Sequence, residues 1–235
     1  MHHDTQLPFN YIQECSEKAG RVIGKFFRSL KSTGLLDQKL NVVAHSMGNR
    51  VLRCVGKSAV TDGWDKEALA QGKSLLEAAP KDLQSNKNLF ENIFFVSADI
   101  PESVFEEPTD GTEGQQEEHA LKSGIAALAV LSKRMHVLHA AGWDQALNAS
   151  FVMNGRNARL GSRGPYAQGE PAKVWEAVSA EVEKTGGNVP TEENDKLYGN
   201  VHVKDCSEYN RDAGGLLGHS YQCAPKSVKY YLEHM

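Results

Sequence analysis

The chain has 235 residues and a formal net charge of −4, with 40% hydrophobic and 24% charged side chains, the profile of one soluble globular domain. Slight acidity without a basic stripe argues against nucleic acid as a partner, and no apolar run approaches the length of a membrane span. The polar N-terminus, with His2 and His3, predicts no signal peptide, and Cys15, Cys54, Cys206 and Cys223 form no C-x-x-C pair, so reduced thiols in a cytoplasmic setting are expected.

In chain order, Tyr11 to Leu30 places Ile12, Cys15, Ala19, Val22, Ile23, Phe26, Phe27 and Leu30 at three- and four-residue spacing. This predicts an amphipathic helix packed on a sheet and ended by Thr33-Gly34. Leu40 to Val43 reads as a short buried strand that runs through Ala44-His45-Ser46-Met47-Gly48 into a helix beginning near Asn49. This is a nucleophile elbow of the G-x-S-x-G type with Ala44 in the first small-residue place. Strand and helix converge on the serine, so the residues two before and two after it are expected to be small for steric reasons. The amide of Met47, at the helix N-terminus, is placed to receive a developing oxyanion. Adjacent side chains on an elbow diverge, so His45 is expected to pack against neighbouring loops rather than to act as a base.

A third helix is predicted over Asp65 to Ala79, stopped by Pro80, and a second strand over Asn92 to Val96, ending at Ser97-Ala98-Asp99. Residues 101–118 carry seven acidic side chains and no basic one, which reads as a solvated loop in a place where a lid is also feasible. Helix is predicted from about Glu117 to Lys133, then a strand over Met135 to His139 running out to Asp144. His136 and His139 face opposite sides of that strand, a poor geometry for a metal, and neither metal nor cofactor is expected. Helices follow over Asp144 to Met153 and Ala172 to Lys184. Between them, Gly155 to Gly169 holds Arg156, Arg159 and Arg163 and reads as an exposed loop, or as a positive flank for an acidic substrate. The last strand, Asn200 to Cys206, leads through a glycine-rich stretch to His219.

The order serine, acid, histidine, each after a later parallel strand, points to a Ser46, Asp144, His219 triad. Asp99 is the rival acid, since it also ends a strand; Asp144 follows the commoner strand and has Trp143 beside it as an apolar wall. Asp205 is a weaker third.

The blocks NVVAHSMGNRVL, NIFFVSADIP, HVLHAAGWDQAL with NARLG behind it, and LGHSYQ resemble an α/β-hydrolase family, the hydrolase-like group DUF900. The resemblance runs from about Tyr11 to the C-terminus. It implies one domain over 1–235 with a mostly parallel sheet and helices on both faces, and ester or amide chemistry. By position it carries the nucleophile to Ser46, the acid to Asp144 and the base to His219. Members of the family have further strands before the elbow, one leading to a His-Gly-type loop that supplies the second oxyanion donor. No such loop is found upstream of Ser46, so a truncated fold is expected, from a fragment of a longer chain or a lineage that lost half the site. The expected function is a serine hydrolase acting on a small-molecule ester, in the manner of a carboxylesterase or lipase. The alternative is a catalytically impaired or fragmentary hydrolase-like protein with a binding or assembly role. Only four strands are read, with the Ser46 strand at an open edge, so self-association through that edge is expected.

Overall fold

Period-two alternation in the apolar segments builds a sheet whose two faces bury different sets of side chains. The computed structural model describes residues 6–33, 40–61, 65, 67, 89–101, 124–140, 144–153, 159–164, 166–167, 170–171, 196–198, 201–212 and 218–235. The strands are β1 (Asn41–His45), β2 (Phe90–Val96), β3 (Ser132–His139), β4 (Tyr166–Ala167), β5 (Glu170–Pro171), β6 (Lys196–Tyr198) and β7 (Val201–Asp205). The helices are α1 (Gln6–Ser32), α2 (Gly48–Thr61), α3 (Ile125–Leu131), α4 (Gln145–Met153), α5 (Leu160–Arg163), α6 (Ser207–Asp212) and α7 (Pro225–His234). The acidic stretch at 102–118, the body of the helix predicted from Asp65, the helix predicted from Ala172, Trp143 and the glycines at 213–217 lie outside the described residues.

The main sheet has the order β1-β2-β3-β7-β6, and β4 pairs with β5 in a separate antiparallel pair. β1, β2, β3 and β7 are parallel, with Val42 opposite Ile93, Ile93 opposite Met135, and Met135 opposite Val201. That register stacks Ala44, Ile93, Phe95, Met135, Val137, Val201 and Val203 on one face, against Leu52, Val55, Leu128 and Leu131 from α2 and α3, with Ile23 and Phe27 of α1 packed alongside. Phe94, Val96 and Leu138 point to the other face, toward Tyr221, Tyr230 and Tyr231. Helices therefore cover both faces, as parallel sheets require.

α1 packs on α2, and α2 on α3, and Phe27 of α1 meets Phe90 of β2 edge-on at 5.5 Å. The α1–α2 approach is close: a Cβ at Gly20 would lie 2.5 Å from Cys54 Cβ. α1 ends where the Thr33 hydroxyl and amide meet the last carbonyls, Oγ1 lying 3.0 Å from Ser29 O and 3.1 Å from Leu30 O.

Three expectations are corrected. The sheet has a fifth strand: β6 runs antiparallel to β7, with Tyr198 opposite Val201. Only Gly199 and Asn200 separate the two in sequence, a spacing that suits a two-residue hairpin connection. The helix predicted through Lys133 stops at Leu131, and Ser132 takes extended geometry (φ −115°, ψ 148°). Pairing of Ser132 with Phe90, and ion pairs of Lys133 (2.9 Å) and Arg134 (3.6 Å) with the buried Glu91, outweigh the helix propensity of this run. Arg159 is not in an exposed loop. It is 2% exposed, bridges to Pro101 and opens the short helix α5.

Candidate active site

β1 ends at His45, and the chain turns through Ser46 and Met47 into α2. Ser46 has φ 53°, a left-handed conformation that a non-glycine residue adopts only where its surroundings impose it, at about 1–3 kcal/mol. The Ser46 amide donates to Val96 O at 3.1 Å. Its carbonyl accepts from the Asn49 amide at 3.1 Å, from Asn49 Nδ2 at 3.0 Å and from the Asp99 amide at 3.3 Å. Ala44 is buried, in keeping with a small residue there. Gly48 differs from expectation: a Cβ there would meet no heavy atom within 4 Å, so crowding among the described residues does not require the glycine. Met47 is the last residue of the turn before α2 begins at Gly48.

Asp144 precedes α4 and caps it rather than forming its first turn. Oδ1 accepts the Leu147 amide at 3.0 Å and the backbone carbonyl accepts the Asn148 amide at 3.0 Å. Oδ2 lies 2.7 Å from His219 Nδ1, and the Asp144 side chain is fully buried. This places the imidazole proton on Nδ1 and leaves Nε2 as the basic nitrogen. The Ser46 hydroxyl makes no hydrogen bond to the His219 imidazole among the described residues. Such a link is often loose until substrate closes the site.

His45, expected to pack against a neighbouring loop, and Tyr221, which the sequence did not single out, fix the loop that carries His219. His45 Nε2 lies 2.9 Å from His219 O, and the two rings are 4.7 Å apart. His45 thus packs on a neighbouring loop, and burial, together with the nearby His219 ring, lowers its pKa against the opposing pull of the backbone bond and Asp144. Tyr221 is fully buried. Its hydroxyl donates to Leu138 O at 2.8 Å and accepts the Ser97 amide at 3.1 Å, pinning the loop after His219 to the ends of β2 and β3. Burial raises its pKa far above the usual phenol value. The signal was present in the LGHSYQ block, but a tyrosine two residues past a histidine has no meaning until the strand ends beside it are known.

Asp99 lies elsewhere in the site. Its carboxylate faces Arg50 Nη2 at 3.5 Å and Arg159 Nε at 3.3 Å, and Oδ1 accepts the Ser150 hydroxyl at 2.5 Å. Asp205 is turned to its own chain, accepting the amide and hydroxyl of Ser207. His136 and His139 do not meet at a common site, and no group of three or more potential metal ligands occurs among the described residues. No described helix is long and apolar enough to cross a membrane.

A parallel sheet covered by helices on both faces, with a serine at positive φ in its strand-to-helix turn, is α/β-hydrolase architecture. The chain belongs to the family described as alpha/beta hydrolase of unknown function (DUF900), whose family model matches residues 5–234. No curated protein and no solved structure matches it.

Proposed function

We propose that the protein is a serine hydrolase of carboxylic esters, with Ser46 as nucleophile, His219 as general base and acid, and Asp144 as the carboxylate that orients His219. The observation that carries this reading is the 2.7 Å pairing of His219 Nδ1 with Asp144 Oδ2, from residues 75 apart in the chain, at the same sheet edge as the strained Ser46 turn. Ser46 Oγ attacks the acyl carbon while its proton passes to His219 Nε2, and Asp144 stabilises the imidazolium that results. The Met47 N–H receives the oxyanion. His219 then returns the proton to the departing alcohol. A water, deprotonated by the same nitrogen, cleaves the acyl-enzyme and releases the acid and Ser46.

A fluorophosphonate probe tests this reading. Ser46 is expected to be labelled and Ser46→Ala to abolish labelling; a Ser46→Ala protein labelled as before would remove the mechanism. The substrate is a small-molecule ester, and Cys15, Cys54, Cys206 and Cys223, none of them in a disulfide, fit a cytoplasmic setting.

A second reading, an assembly role for a hydrolase-like fold, is favoured by the β1 edge. Among the described residues β1 pairs with β2 alone, has no charged residue or proline to guard it, and presents Val43 at 43% exposure. On this reading the edge takes up a second copy of the chain.

A further inference from the structure

We propose that Asp99 is a positioning residue that holds the Ser46 turn in register with α4, the helix capped by Asp144. This rests on the hydrolase reading above and adds to it a residue outside the triad.

Asp99 touches both halves of the site. Through its backbone it meets the nucleophile turn: its amide donates to Ser46 O at 3.3 Å, and its carbonyl accepts Arg50 Nε, from the first turn of α2, at 2.9 Å. Through its carboxylate it meets α4: Oδ1 accepts the Ser150 hydroxyl at 2.5 Å. Arg159 closes the ring, with Nε 3.3 Å from Asp99 Oδ1 and Nη2 donating to Ser150 O at 3.4 Å. Asp144 sits at the other end of the helix that carries Ser150, and its Oδ2 bonds His219. A displacement of α4 relative to β1 therefore changes where Asp144, and with it His219 Nε2, stands relative to Ser46 Oγ.

The segment carrying Asp99 is itself held without slack. Ser97 has φ 44°, and it and Ser46 are the two described non-glycine residues at positive φ. The chain leaving Ser97 is strapped by α5: Gly161 N donates to Ala98 O at 3.0 Å and Leu160 N to Ile100 O at 3.0 Å, while Gly161 O accepts the Ala140 amide beyond β3 at 2.9 Å. A Cβ at Gly161 would come within 2.2 Å of Ala98 N, so only glycine lets α5 approach this closely. Two largely buried guanidiniums, Arg50 and Arg159, face one carboxylate. Such a carboxylate is confined by charge as well as by hydrogen bonds. Misplacement of about 1 Å in a catalytic geometry lowers rates by about 10²-fold.

The test uses the full chain, and Ser150→Ala is the mild variant. It removes the hydroxyl link to α4 but keeps both ion pairs, so folding is retained. Its fluorophosphonate labelling of Ser46 and its kcat on p-nitrophenyl esters are expected to fall about 3–10-fold with KM unchanged, and Ser150→Thr, which keeps the hydroxyl, is expected to restore them. Asp99→Asn is expected to lower both by about 10–100-fold. A second readout needs no turnover: the low-field proton resonance of His219 Nδ1–H is expected to shift or broaden in Ser150→Ala and Asp99→Asn and to recover in Ser150→Thr. A folded Ser150→Ala protein with wild-type labelling rate and an unmoved resonance overturns the proposal, even if Asp99→Asn fails to fold. Wild-type protein that takes up no probe overturns the hydrolase reading instead, and the resonance still decides the role of Asp99.

Discussion

Asp144 uses its two carboxylate oxygens for two tasks, Oδ1 to cap α4 and Oδ2 to hold His219. Asp144→Asn keeps an oxygen for the cap but turns an N–H toward a nitrogen that already carries a proton, forcing the other tautomer of His219. Hydrolysis of p-nitrophenyl esters is expected to fall by about 10³–10⁴ in the folded variant, more than in Asp99→Asn. The reverse order would assign the acid to Asp99. Tyr221 gives a second residue-scale prediction. Tyr221→Phe removes a hydroxyl that serves Leu138 O and the Ser97 amide at once, leaving a buried acceptor and a buried donor without it. A loss of about 1–3 kcal/mol is expected in urea unfolding, with slower Ser46 labelling because the loop behind His219 loosens.

Among the elements, the contact of β3 with α7 carries a built-in pH dependence. His136 is fully buried between Phe94 and His202, stacked at 4.4 and 4.8 Å, with Tyr230 across its edge. Asn92 Nδ2 is committed to His234 O at 2.8 Å and Asn41 Oδ1 at 2.7 Å, so Asn92 Oδ1 is left to accept from His136 Nε2–H at 3.3 Å, and Nδ1 accepts from the Tyr230 hydroxyl at 3.0 Å. The ring is neutral with its proton on Nε2. Burial above all, then the charges of His202, His234 and Arg134, push its pKa well below the ordinary value of 6.5. The sign follows from linkage: below pH 6.5 the unfolded chain takes up a proton that the folded chain refuses, so stability is full above pH 6.5 and declines as pH falls. His45, also lowered, acts in the same direction. Thermal melts from pH 8 to 5 are expected to show Tm falling below pH 6.5, with the decline flattened in His136→Gln. A wild-type melt independent of pH over that range would contradict it.

For the whole molecule, the β1 side of the sheet, where no further strand occurs among the described residues, is the feature with the largest consequence. α1 packs against α2. Its side toward α2 carries Gly20 and Gly24, while Val22 and Phe26, on the arc turned away from those glycines, stand exposed. On the opposite face Val43 is exposed beside the β2 row of Asn92 and Phe94. An uncharged strand edge with an exposed apolar side chain such as Val43 is a template for another strand. The chain is expected to self-associate through β1, seen as a concentration-dependent shift in size-exclusion chromatography. Val43→Lys is expected to return it to the monomer. A wild-type chain that stays monomeric at high concentration, with a sharp high-temperature melt, would mean that the edge is closed in some other way.

Local chemistry made much of this legible in the sequence. The four parallel strands were found because β-branched and aromatic runs of strand length declare themselves over five to eight residues. The elbow was found because a strand, a small-x-Ser-x-Gly turn and a helix are contiguous, and the order serine, acid, histidine is a property of the chain. What depends on residues far apart was decided by the tertiary structure. Asp99 and Asp144 have the same chemistry and both follow strands. Only packing brings Asp144 to His219 across 75 positions and sets two guanidiniums on Asp99. Arg159 reads as solvated because a charge is normally outside, and it is buried because Asp99 and Ser150 meet it there. Ser132 leaves a helix-forming run because Phe90 offers a strand to pair with. Periodicity and turn chemistry are written in neighbouring residues, whereas the partner of a buried charge or of a strand edge is fixed only when distant segments pack.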